Sequence, residues 1–169
     1  IAADGSLELR VYYNRNSYSV TVSCDTKKGK IDRTISDYYL YETKFTVEVT
    51  KTNAGYTFVG WYKNGELAST NLKYIFSVQG KTHVVPVWRE NSGVSYKVKY
   101  YLQNIEDDKY TLKESYDFQG TTDETVTAEI KTYTHFTFNE KESKTSGKIY
   151  GDGSLSLYVY YTRDQYNVS

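Results

Sequence analysis

The sequence predicts a mainly β protein of the α+β class, made of tandem small modules with mixed sheets and at most short helices. Three observations lead there. Short apolar and aromatic runs alternate with polar residues at a period of two, the pattern of half-buried strands. Thr, Tyr, Val and Ser are abundant, while Pro occurs once and Met not at all. One stretch occurs twice: IAADGSLELRVYYNRNSYSV (Ile1 to Val20) aligns without a gap with IYGDGSLSLYVYYTRDQYNV (Ile149 to Val168), at an offset of 148, and 12 of 20 positions are identical. A repeat of that length marks an array, with the piece running from near the end of one unit to near the end of another.

In chain order, Asp4-Gly5 is a turn. Leu7, Leu9, Val11 and Tyr13 then share one face of an expected strand, with Glu8, Arg10 and Tyr12 on the other. After Asn14-Arg15-Asn16, a second strand runs from about Tyr18 to Cys24. Residues 1–17 are expected either to close a preceding repeat unit or to continue into Tyr18 as one bent strand shared between modules. The stretch IDRTISDYYLYE from Ile31 is ambiguous: Ile31, Ile35 and Tyr39 have the four-residue spacing of a short helix, against a Tyr and Thr content that disfavours one. Phe45 to Val49 alternates again. Tyr56 to Tyr62 is followed by Lys63-Asn64-Gly65-Glu66, and Asn-Gly between apolar runs is the strongest short-range hairpin signal. Tyr74, Phe76 and Val78 form the next strand and Gly80 turns the chain into Val84 to Trp88, where Pro86 suggests an edge strand or a bulge.

Arg89 to Gly93 (RENSG) is the best linker, and its shortness implies modules that touch or are restrained. It separates an expected first module, 18–89, from a second, 94–169. In the second, Tyr96, Val98 and Tyr100 share a face, Tyr110 to Phe118 is a strand, and Phe136 and Phe138 begin another. Thr121 to Glu124 has the form of a capping box ahead of Val126, Ala128 and Ile130, whose alternation equally supports an extended segment. The second copy of the repeat, turned by Gly153, ends the module.

Lys plus Arg and Asp plus Glu both number 21, so the net charge is near zero and lacks the electrostatic term that nucleic-acid and anionic-membrane binders use. No apolar run is long enough for a transmembrane helix. Cys24 is the single cysteine and has no internal disulfide partner.

The run Gly55-Tyr-Thr-Phe-Val-Gly-Trp-Tyr, then Gly-Glu, a Tyr-x-Phe strand and a close on Val87-Trp88, resembles the divergent form of the internalin-type B repeat over about 18–88. From about 96 to 161, a Tyr-x-Val-x-Tyr-Tyr strand, a Tyr-Thr-Leu strand, a Gly-Thr-Thr segment and a closing Leu-x-Val-x-Tyr-Tyr strand are similar to mucin-binding-protein-like repeats. Both resemblances imply β-grasp-like modules of cell-wall-attached surface proteins of Gram-positive bacteria, acting extracellularly as stalks or adhesive segments. They imply no catalytic residue and no cofactor.

Trp61 and Trp88 sit in alternating runs where a small core needs bulk, and join Tyr56, Phe58, Leu155, Leu157 and Val159 as expected core. Each Tyr-Tyr pair puts one ring on each strand face. Tyr12, Tyr101 and Tyr160 are therefore the candidates for ligand contact, since an exposed tyrosine offers a flat apolar ring and a hydroxyl at low entropy cost. Glu106-Asp107-Asp108 lacks the spacing of a calcium loop. His83 and His135 have no Cys or acidic partner at zinc-ligand spacing. No nucleophile elbow or carboxylate pair points to an enzyme. The expected partners are neighbouring repeats of the same chain and host or cell-surface glycans or proteins, with no nucleic acid and no membrane insertion of this segment. The leading expectation is a rigid stalk or adhesive segment, and the alternative is a specific carbohydrate- or mucin-glycan-binding module.

Overall fold

A computed structural model of the chain describes residues 4–6 and 8–167. The expectations placed on Ile1, Leu7 and Val168 lie outside the described residues. The fold is all β: fourteen strands and, among the described residues, no helix. This overturns the α+β expectation of short helices, and with it the β-grasp description, which requires a helix across the sheet.

Both helix candidates failed for visible reasons. Ile35 and Tyr39 are four residues apart, and four is a multiple of the strand period as well as about one helical turn. In the structure both are half-buried on one face of a strand that pairs antiparallel with residues 17–22. At the capping box only one of the two expected bonds forms: the Thr121 N–H donates to Glu124 Oε2 at 2.8 Å, but the Glu124 N–H donates to the Thr121 backbone carbonyl at 3.0 Å and not to its hydroxyl. They close a turn instead of a helix, because Asp123 between them takes a left-handed φ of 69° that a helix cannot propagate.

Contacts divide the chain into two compact units, Ile1–Asp25 with Lys30–Thr50 and Gly60–Val87, and Thr26–Gly29 with Lys51–Val59 and Trp88–Ser169. The first eight strands are β1 (Ser17–Val22), β2 (Gly29–Ile31), β3 (Ile35–Leu40), β4 (Lys44–Thr52), β5 (Tyr56–Lys63), β6 (Glu66–Ser69), β7 (Lys73–Ser77) and β8 (Thr82–Glu90). They form one sheet in the order β3-β1-β8-β5-β6 and another in the order β2-β4-β7. In the first unit a run of rings links the two sheets: Tyr39 meets Phe45, which stacks on Phe76, then Tyr74, then Trp61, with successive centroids 4.8, 5.4, 5.6 and 6.4 Å apart. Trp61 is fully buried, and its indole N–H donates to the Leu72 carbonyl at 3.0 Å. Asn64 and Gly65 both have positive φ at the β5–β6 turn, as a tight hairpin demands.

Of the two expectations for Pro86, an edge strand or a bulge, the edge is corrected: the proline lies on an interior strand. The Ser23 N–H donates to the Val84 carbonyl, so Val84 and Pro86 direct their backbone groups toward β1. The β1 ladder ends at the Val22–Val84 pair, and by Pro86 that flank has no strand beside it. The proline thus sits where no hydrogen bond is lost.

The second unit carries β9 (Val94–Gln103), β10 (Tyr110–Gly120), β11 (Thr125–Thr127), β12 (Phe136–Phe138), β13 (Ser146–Lys148) and β14 (Ser156–Arg163). Four of them form a mixed sheet in the order β10-β9-β14-β12, with β14 parallel to β9; β11 and β13 pair separately. Leu155, Leu157, Val159 and Tyr161 project from one face of the β14 stretch into a core with Val98, Tyr100, Ala128 and Ile149. Val126 and Ala128 bring the β11 segment to that core, covering the face where the expected helix would have lain.

Around Trp88 the same unit holds Tyr56, buried, and Phe58, half-buried with its ring 6.1 Å from that of Trp88. Asp123 accepts from the Lys27 ammonium and from the Tyr56 hydroxyl, both at 2.6 Å. A Cβ on Gly151 would lie 2.1 Å from the Ala54 carbonyl oxygen, which explains glycine there. Residues 8–16 form no strand, and β1 begins at Ser17.

Candidate functional site

The four-stranded sheet of the second unit bears an aromatic surface on each face, and a one-residue irregularity creates both. Along β9, Tyr96, Val98 and Tyr100 point one way, while Lys97, Lys99 and Tyr101 point the other. In β10, simple alternation would put Tyr110, Leu112, Glu114, Tyr116 and Phe118 on a single face. A bulge between Leu112 and Glu114 divides them. Tyr110 and Leu112 sit opposite Gln103 and Tyr101, whereas Glu114, Tyr116 and Phe118 sit opposite Tyr100, Val98 and Tyr96. One extra residue flips the remainder of a strand to the other side.

On the first face, β10 and residues 127–131 border an open groove of about 330 Å³. Its floor is Tyr96 stacked on Phe118 with centroids 5.5 Å apart, and Tyr100 edge-on to Tyr116 at 6.1 Å. Tyr116 and Phe118 are 42% and 45% exposed, enough ring to receive a flat partner. Lys131 closes one end. Its ammonium lies 4.1 Å from the Tyr116 ring centre and 4.6 Å from that of Tyr100, and it donates to Glu114 Oε2 at 2.5 Å. The same Glu114 oxygen accepts from the Tyr116 hydroxyl at 2.7 Å. That hydrogen bond to Glu114 raises the Lys131 pKa; the bonds from Lys131 and then Tyr116 hold the Glu114 carboxyl below its ordinary range. Both stay charged at neutral pH, so the groove presents apolar rings beside a fixed, hydrogen-bonded charge pair.

On the opposite face, Tyr101 and Tyr160 are brought together, their rings stacked at 4.8 Å, with Tyr110 edge-on to Tyr160 at 4.9 Å. Asn139 donates to the Tyr110 hydroxyl at 3.0 Å and to Thr162 Oγ1 at 3.1 Å. These rings are half-buried and spend much of their flat surface on one another. Tyr12, the third tyrosine singled out in the sequence, lies in residues 8–16 and is exposed.

The groove residues Tyr96, Tyr116, Phe118, Glu114 and Lys131 were not singled out by sequence. The shared face of Tyr96 and Tyr100 was visible, but its partners come from a bulged strand and from a segment thirty residues on. Among the described residues no cluster of three or more His, Cys, Asp or Glu could hold a metal. Asp107 is used within its own loop, accepting from Asn104 and from the Lys109 N–H. His83 meets Thr21 Oγ1 at 2.7 Å and His135 meets the Tyr166 hydroxyl at 3.0 Å. No family model matches this sequence, and no curated protein matches it.

Proposed function

We propose that the chain is a non-catalytic repeat segment of a bacterial cell-surface protein, acting as a stalk or adhesive segment. The observation that supports it is the repeated stretch. The five fully buried apolar positions of its second copy, Ile149, Leu155, Leu157, Val159 and Tyr161, are identical in the first, where they read Ile1, Leu7, Leu9, Val11 and Tyr13. Selection for the same buried face twice is what an array of stacked modules requires. Residue patterns resembling internalin-type B and mucin-binding-protein-like repeats support the reading that such an array lies outside a Gram-positive cell. Among the described residues no helix is long and apolar enough to cross a membrane.

The groove favours a second reading, specific binding of a carbohydrate. A sugar ring stacks its C–H face on an aromatic side chain while its hydroxyls take hydrogen bonds, and here the exposed Phe118 and Tyr116 rings lie beside the Lys131–Glu114 pair. A glycan array probed with the intact chain separates the readings. Signal lost in Phe118→Ala but retained in Tyr101→Ala assigns binding to the groove, and the reverse assigns it to the tyrosine face. Absence of any signal leaves the stalk reading alone.

A further inference from the structure

We infer that residues 8–15 are the last strand of another β module, of the same kind as the second unit, preceding this stretch in the same polypeptide. The two copies of the repeat share more than sequence. In each, the Ser N–H donates to the Asp carboxylate two residues earlier at 3.0 Å: Ser6 to Asp4, and Ser154 to Asp152. The intervening glycines, Gly5 and Gly153, adopt φ of 72° and 74°. The first copy therefore has the turn that launches the strand, and its sequence specifies the strand's inward face.

What differs is the partner. In the second copy Leu157, Val159 and Tyr161 are 0, 0 and 1% exposed; their counterparts Leu9, Val11 and Tyr13 are 83, 74 and 90% exposed. Substitutions between the copies fall elsewhere. Ser156, Tyr158 and Thr162, half-buried, are Glu8, Arg10 and Asn14 in the first copy. The buried face is kept at every position while the other varies at three of four, Tyr12 and Tyr160 being the same, which is the signature of a strand held against a core of one kind in two places. The slot it fits is defined by β14, which lies parallel to a β9-type strand and antiparallel to a β12-type strand. A second copy of this chain is the poorer occupant, since its slot is already filled by β14 and an exchange would expose an equivalent strand. This inference is independent of glycan binding, because such a strand would complete its module whether or not the protein binds a sugar.

The test fuses residues 94–148 ahead of Ile1 of the intact chain, so that the first copy follows an acceptor lacking its own last strand. Hydrogen exchange over residues 9–13 should slow by at least about tenfold relative to the unfused chain, the mark of strand pairing. Val11→Asp in the fusion should abolish that protection. A parallel fusion in which residues 149–163 replace the first copy calibrates the acceptor. Protection there but not with the first copy overturns the inference. If neither fusion protects its strand, the decision passes to the intact chain carrying Ser156→Glu, Tyr158→Arg and Thr162→Asn, which gives β14 the first-copy residues. Cooperative unfolding of the second unit with β14 still protected supports the inference, and loss of that protection overturns it. A dimer of the unfused chain by light scattering, with residues 9–13 protected, also overturns it by making a second copy the partner.

Discussion

The two units place an equivalent pair of strands at the centre and fill the space around it differently. In the first, β1 is antiparallel to β3 and parallel to β8; in the second, β9 is antiparallel to β10 and parallel to β14. The parallel ladder registers three residue pairs, Val20–Thr82 to Val22–Val84, in the first unit and six, Ser156–Lys97 to Tyr161–Leu102, in the second. Where the ladder is short, the first unit joins its sheets through the run of rings from Tyr39 to Trp61. Where it is long, the second unit buries a row of side chains from a single strand stretch. One topology thus supports two distributions of stability, one concentrated in a large ring and the other spread along β14.

The sharpest way to break this comparison is Trp61→Ala. Removing a fully buried indole that also donates to the Leu72 carbonyl should cost about 3–5 kcal/mol, enough to unfold a small module. Hydrogen exchange read separately over β1 and β9 should show protection lost in β1. Protection retained there would mean that the rings do not carry the first unit.

Leu157→Ala is the matching change in the second unit, with an expected cost of about 2–5 kcal/mol. Because neighbouring Leu155 and Val159 remain buried in the same row, the loss should fall toward the lower end of that range. The identical substitution in the first copy, Leu9→Ala, should move the denaturation midpoint by no more than about 0.5 kcal/mol in the chain alone, as expected of an exposed residue. Equal costs at 9 and 157 would show that residue 9 is buried in solution.

Gly65→Val probes a smaller, local term. Gly65 has a φ of 89° with no heavy atom near an added Cβ, so the penalty is backbone strain without a clash. About 1 kcal/mol or more is expected, visible as earlier melting of the first unit. A neutral melt would show that the turn relaxes to another conformation.

What the sequence made legible was local. Period-two alternation and the Asn64-Gly65 dipeptide act on neighbouring residues, so the β character of the chain could be read directly. Helix and strand were confused where a spacing of four satisfied both periods, at Ile35 and Tyr39, and where a capping box closed a turn ended by Asp123. Pro86 misled because the rule that restricts proline concerns a hydrogen-bonding flank, and whether that flank is occupied depends on where β1 stops, about sixty residues earlier. The groove was hidden for a similar reason. Alternation in β10 gives one face, and only the bulge, which has no residue signature here, sends Tyr116 and Phe118 to Tyr96 while Tyr110 goes to Tyr160.

The difference between the units extends to alkaline stability. In the second unit burial pushes the hydroxyls of Tyr56, Tyr100, Tyr160 and Tyr161 up from their ordinary value, and Tyr133 up to about 12 with the Glu114 charge adding to the effect. Lys131 is raised by its bond to Glu114. In the first unit, Tyr74 is the described tyrosine raised in this way, by burial. A group whose folded pKa lies above its unfolded one contributes stability that is complete below the unfolded value, about 10 for both Tyr and Lys. That stability is lost as the pH rises through the folded value, because the unfolded chain releases protons that the folded chain keeps. The second unit should therefore lose more stability than the first on raising the pH beyond about 10. With Trp61 in the first unit and Trp88 in the second, the variants Trp88→Phe and Trp61→Phe each report on one unit by fluorescence. Tyr133→Phe should leave the midpoint near its parent value at about pH 8 and raise it relative to the parent at about pH 11, since a ring without a hydroxyl has no proton to release on unfolding. A parallel decline of parent and variant between those two conditions would remove Tyr133 from the account, and an equal loss of stability in the two units would remove the contrast itself.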